Sequence, residues 1–195
     1  MGDYLAYIGI LRTFSQKYQL EIWAWCLMPD HLHLLAVPHN AAGLAKGMGS
    51  ASLVYTQHLN RKHGRSGGIW QNRYFSCVVG EQDYLSAVAR YIELNPVRSG
   101  RVKRPEEWPW SSARAHLMNK PDPLLTPFPG FPGATEWRQY LSGGDTLEIE
   151  LIRKATSAGR PFADAGLVAE LEARAGRSLT PKKVGRPRKQ IEDHS

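Results

Sequence analysis

Two histidines a residue apart, His31 and His33, stand in an otherwise apolar run from Cys26 to Val37 that is broken only by Pro29-Asp30. On a β-strand, residues i and i+2 point to one face about 7 Å apart, so both imidazoles turn to the same side while Leu32 and Leu34 pack on the other. The preceding segment, Leu20 to Leu27, alternates Ile22, Ala24 and Cys26 with Trp23 and Trp25 and also reads as a strand. With Pro29-Asp30 as the turn between them, the two form a hairpin with the second strand over His31–Val37. Two readings of the histidine pair stay open on this pattern. One is a metal site, since imidazole is the commonest metal ligand. The other is a pair of core histidines satisfied by backbone carbonyls.

The flanking sequence alternates helices with strands. Leu5, Ile8, Leu11 and Phe14 fall near helical spacing and predict a helix over Tyr4–Tyr18. Leu44–Asn60 reads as a second helix, weakened by Gly47 and Gly49. Tyr74–Val79 is expected as a third strand and Glu81–Asn95 as a helix ended by Pro96. Short helices are expected over Thr146–Ala158 and Ala165–Ala175, with disorder from Thr180 onward. The length, 195 residues with 42% hydrophobic content, suits one domain plus an appendage. The expected division is a catalytic domain over 1–118, a Pro/Gly-rich connector over 119–145, a helical region over 146–179 and a basic tail over 180–195.

No run of about 18 apolar residues exists, and the N-terminus lacks a signal-peptide pattern, so a cytoplasmic, nucleoid-associated protein with no membrane contact is expected. Cys26 and Cys77 have no C-x-x-C spacing and read as buried thiols. Charge is uneven: residues 151–195 carry ten Lys/Arg against five Asp/Glu, which is +5 of the formal net charge of +7. A polyanionic partner follows. Arg61, Lys62 and Arg65, followed by Trp70 and Arg73, interleave cations with an aromatic as a surface that tracks phosphates and stacks bases would. A solvated loop with core aromatics fits that stretch equally well.

The helix over 81–95 carries a second constellation. Tyr84, Val88, Tyr91 and Asn95 share one face, which makes Tyr91 and Asn95 neighbours one turn apart. They read either as a nucleophile beside a metal ligand or as a core aromatic followed by a helix-capping Asn.

Four motifs in order carry a resemblance. Met28-Pro29-Asp30-His31-Leu32-His33 resembles the His-hydrophobe-His (HUH) motif of single-tyrosine transposases. Ile69-Trp70-Gln71-Asn72-Arg73-Tyr74 is similar to their Trp-Gln-x-Arg-aromatic signature. Tyr91-Ile92-Glu93-Leu94-Asn95-Pro96-Val97-Arg98 resembles their Tyr-Ile-x-x-Asn-Pro-Val segment, and Trp108-Pro109-Trp110-Ser111-Ser112 a downstream Trp-Pro-Trp-Ser-Ser. The branch most similar is the REP-associated tyrosine transposases.

The resemblance implies an α+β, HUH/ferredoxin-like domain with a central antiparallel sheet flanked by helices. It implies a divalent cation, Mg²⁺ or Mn²⁺, on His31, His33 and Asn95, and Tyr91 as the nucleophile that forms a 5′-phosphotyrosine. Tyr55, Tyr74 and Tyr84 compete for that role on sequence alone, and Asp30 is placed to orient an imidazole. The implied partner is single-stranded DNA at hairpin repeats, with Arg98 joining the DNA-contacting residues and the protein acting as a monomer or a homodimer. Lys182, Lys183, Arg186, Arg188 and Lys189 surround a Gly-Arg-Pro that resembles an AT-hook for the minor groove of A·T-rich duplex. Members of the family usually begin with a strand ahead of the first helix. This chain begins at the helix, so a sheet lacking its first strand is expected, with an unpaired edge. Two function classes follow: a strand transferase, or a DNA-binding regulator of hairpin repeats that has lost catalysis.

Overall fold

The computed structural model describes residues 2–80, 83–143 and 146–180. Among them the chain is α+β, with a two-stranded antiparallel sheet between helical layers. Helix α1 (Gly2–Lys17) leads through Gln19, at φ 54°, into β1 (Leu20–Leu27), and β2 (Leu32–Pro38) returns beside it. The expected hairpin is present, paired from Leu27↔Leu32 to Leu20↔Pro38. His31 lies just before β2 rather than on it.

A register shift between Ile22 and Ala24 bulges β1 and breaks the simple alternation expected of it. Ile22 and Trp25 therefore face α1 and α2 (Gly43–His63), while Ala24, Cys26 and Leu35 face α3 (Asp83–Glu93). The histidine strand is thus sandwiched, with His33 paired to Cys26 on the α3 side. Gly47, which reads from sequence as a helix defect, serves packing: a Cβ there would sit 2.6 Å from Leu20 Cδ1. Gly64, at φ 61°, closes α2 in the left-handed conformation that favours glycine.

Two expectations fail for identifiable reasons. Tyr74–Val79 does not form a third strand; Phe75 and Val78 are exposed, and only Val79 bridges, in parallel, to Phe162. The outer edge of β1 is already taken, because Leu27 N–H donates to Trp110 O, Ser112 N–H to Trp25 O and Thr126 N–H to Ile22 O at 2.8–2.9 Å. Pro96 also does not end helical structure. It occupies the first turn of a short α4 (Asn95–Arg98), where its missing N–H has no intrahelical partner to lose.

Past a 3-10 turn at Pro105–Glu107 come α5 (Ala113–Met118), α6 (Ala134–Ser142), α7 (Thr146–Ala158) and α8 (Ala165–Ala175). Helix α6 lies inside the stretch expected as connector. Its Trp137 is fully buried, and it shares one core with Ala87, Val88 and Ile152 of α7. The basic tail positions Lys182, Lys183, Arg186, Arg188 and Lys189 lie outside the described residues. No described helix is long and apolar enough to cross a membrane.

Candidate active site

The hairpin turn and the end of α3 meet on one side of the sheet. His31 Nδ1 lies 2.7 Å from Asp30 Oδ1, and His31 Nε2 lies 3.2 Å from Asn95 Nδ2. The first contact puts a ring proton on Nδ1, since a carboxylate only accepts, so that in the neutral ring the lone pair is on Nε2. Asp30 is thus in hydrogen-bond contact with the ring it precedes in sequence. Its own carboxyl is held below the usual range, chiefly by that hydrogen bond.

His33 follows two residues on, its ring 4.9 Å from that of His31. Burial first, then the charges of His31, Arg98 and Arg153, push its pKa down to about 4. It is thus a neutral imidazole at physiological pH. The Tyr91 ring meets His33 edge-on at 5.4 Å, and the Arg98 guanidinium lies 4.4 Å from the centre of the Tyr91 ring. Arg98 also donates from Nη2 to the Tyr91 carbonyl.

Two imidazoles and a side-chain amide are a donor set that fits a divalent cation. A half-turn of the Asn95 amide presents Oδ1 in place of Nδ2. Among the described residues no group of three His, Cys, Asp or Glu side chains comes together.

The competing tyrosines are elsewhere. Tyr55 packs on Tyr7 at 4.7 Å, Tyr84 on Phe162 at 5.0 Å, and Tyr74 is exposed. Arg61, Lys62, Arg65, Trp70 and Arg73 are also not brought to this point. Trp70 rests on Tyr7 and Tyr55, in the layer of α1 and α2 on the opposite face of the sheet. There Lys62 pairs with Asp3 at 2.6 Å and Arg65 Nε donates to Asn60 Oδ1.

One functional element escaped the sequence reading. Glu93, two residues after Tyr91, is fully buried. Its Oε1 accepts from Ser112 Oγ at 2.5 Å and from His116 Nδ1 at 2.6 Å, and its Oε2 accepts from Trp137 Nε1 at 2.8 Å. Ser112 Oγ in turn accepts the Trp25 N–H at 3.1 Å. The carboxylate thus fastens α3 to β1, α5 and α6 together. The signal was present, since Glu93 falls on the apolar face of Ala89, Ile92 and Pro96.

A family model described as Transposase IS200 like matches residues 4–95. A protein of Haemophilus influenzae assigned as a REP-associated tyrosine transposase is 33% identical over 123 residues, covering 57% of this chain and 70% of that one. The REP-associated tyrosine transposase of Escherichia coli K12 is 30% identical over 94 residues, 47% of this chain and 53% of its own length. The chain spans about half of that second relative. A solved structure of a REP-associated tyrosine transposase bound to a REP hairpin aligns with a TM-score of 0.49 and 19% identity, over 66% of this chain and 76% of that one. The class is that of transposases, and within it this chain belongs to the REP-associated tyrosine transposases.

Proposed function

We propose that the protein cleaves and rejoins single-stranded DNA at hairpin-forming, REP-type repeats through a 5′-phosphotyrosine on Tyr91. The observation that carries the reading is convergence. Tyr91 touches His33, and His31 Nε2 meets the Asn95 side chain, so a phenol and three donor groups from two distant segments share one locus.

His31, His33 and Asn95 would hold Mg²⁺ or Mn²⁺, which when bound polarises the scissile phosphate and stabilises charge on the leaving oxygen. Asp30 keeps the His31 lone pair on Nε2, facing Asn95. His33 stays unprotonated and available at neutral pH. Tyr91 attacks phosphorus, the bond to the 3′-oxygen breaks, and the phenolic proton ends on the freed 3′-hydroxyl. The ester on Tyr91 conserves the bond energy, so a 3′-hydroxyl can reverse the attack without ATP. The basic positions Arg61, Lys62, Arg65 and Arg73 and the aromatic Trp70, together with the tail's AT-hook-like Lys182–Lys189, are proposed to contact DNA away from the reacting phosphate.

The test uses 5′- and 3′-labelled hairpin oligonucleotides in Mn²⁺. Label from the 3′-side fragment should migrate with the denatured protein, and Tyr91→Phe should abolish it. Cleavage without an adduct would show hydrolysis by water. Binding without cleavage would leave the protein a regulator of the same hairpins.

A further inference from the structure

A cavity of about 370 Å³ opens between α1, Trp25 of β1 and the segments 109–115 and 120–123. Its apolar wall includes Trp110 and Leu5, a leucine left 59% exposed. The Trp110 ring also stacks on Tyr4, with 4.8 Å between the ring centres. Two cations, Arg114 and Lys120, stand in the same lining. Arg114 keeps its Nε buried without an acceptor, and among the described residues neither cation joins an ion pair. The carboxylate in the lining, Asp122, does not neutralise them. It accepts from Trp25 Nε1 at 3.1 Å and from the N–H groups of Leu124 and Leu125.

Hydrogen bonds tie this cavity to the loop that presents His31. Leu27 N–H donates to Trp110 O at 2.8 Å, Trp108 Nε1 donates to Leu27 O at 3.1 Å, and Met28 N–H donates to His31 O at 2.8 Å. One wall of the cavity and the histidine turn are therefore parts of a single bonded unit. None of its residues belongs to the Arg61–Arg73 stretch or to the basic tail.

An aromatic, apolar wall beside two unneutralised cations matches a nucleotide, which offers a π-face at the base and an anion at the phosphate. An apolar side chain of a protein partner would fill the same space but leave the buried Nε of Arg114 without an acceptor, which is costly. We propose that the cavity takes one nucleotide of the single strand flanking the cleaved phosphate, its base against Trp110 and its phosphate on Arg114 and Lys120. This rests on the reading of hairpin DNA as the substrate. The volume lies at the low end of the roughly 300–1,000 Å³ of small-ligand sites, which suits one nucleotide. Seating that nucleotide fixes the register of the strand, and the register decides which phosphodiester reaches Tyr91.

The experiment measures binding by fluorescence anisotropy, using the full chain without metal, a hairpin oligonucleotide with single-stranded flanks and the same hairpin with blunt ends. On the flanked hairpin, Arg114→Gln should raise Kd about 10-fold, as for loss of a charge-assisted hydrogen bond. Lys120→Gln should lower the slope of log K against log salt by about 0.7, the share of one single-strand phosphate. On the blunt hairpin both variants should match the wild type within about twofold. An abasic site stepped along the flank should weaken wild-type binding about 10-fold at one position, where Trp110→Ala should then add nothing further. Equal losses on flanked and blunt hairpins, or a Trp110→Ala loss that no single abasic position removes, would overturn the nucleotide site. Lys120 is exposed, so its variant keeps the test decisive even where Trp110→Ala unfolds.

Adduct formation in Mn²⁺ separates this site from the nucleophile. Flank-dependent binding that Arg114→Gln weakens, with no adduct on Tyr91, would keep the nucleotide site and remove the nucleophile assignment. An adduct formed at the same phosphate and the same rate by both cation variants would keep the nucleophile and remove the site. Wild-type protein that binds neither hairpin would overturn the substrate reading and the site together.

Discussion

His33 shows how one buried side chain ties stability to pH. In the unfolded chain it takes up a proton near its ordinary 6.5, whereas in the folded chain burial and neighbouring cations hold this back to about 4. Between those values the unfolded state binds more protons, so stability is full above about pH 6.5 and falls as pH drops toward 4. Metal-free protein should therefore lose about 2 kcal/mol from this group between pH 7 and 4.5. Urea unfolding of wild type and His33→Gln at both pH values measures it, and an equal loss in the two would show that other groups are responsible. The pair itself was legible in the sequence because strand periodicity puts i and i+2 on one side. The tautomer of His31 was not, since it depends on the Asp30 carboxylate and the distant Asn95 amide approaching opposite ring nitrogens.

Helices α1, α7 and α8 and strand β1 were readable from periodicity and flanking polar residues almost to the residue. The failed third strand shows the limit of that reading: residues 110–112 and 126, which carry no strand pattern, occupy the edge beside β1, while Phe75 and Val78 stay exposed. The bulge between Ile22 and Ala24 was equally hidden, as it is a property of the pair and not of either strand. Helix α3 is fixed in place by the carboxylate of Glu93. Glu93→Gln keeps the shape but turns an amide nitrogen toward a donor, and should cost about 1–3 kcal/mol. Ser112→Ala should cost a similar amount, and the double variant less than the sum, because both remove the same contact. Denaturant midpoints for the four-protein cycle decide this, and strict additivity would show that the two side chains act independently.

At the scale of the molecule, residues 151–195 carry most of the net charge, but helix α7 does different work from what charge alone implied. Ile152 is 3% exposed and belongs to the core around α3. Ile152→Ala should destabilise the whole protein by about 2–5 kcal/mol, and melting should remain one transition reported alike by Trp137 fluorescence and by circular dichroism. Two separated transitions would show that α7 melts on its own. The satisfaction of Glu93 has a further consequence for modularity. Its donors come from positions 112, 116 and 137, so α3 draws two of its three supports from beyond the end of the four sequence motifs. The surroundings of Tyr91 are therefore not a portable cassette: grafting residues 1–118 onto another protein would strand the Glu93 carboxylate one donor short, two residues after the tyrosine.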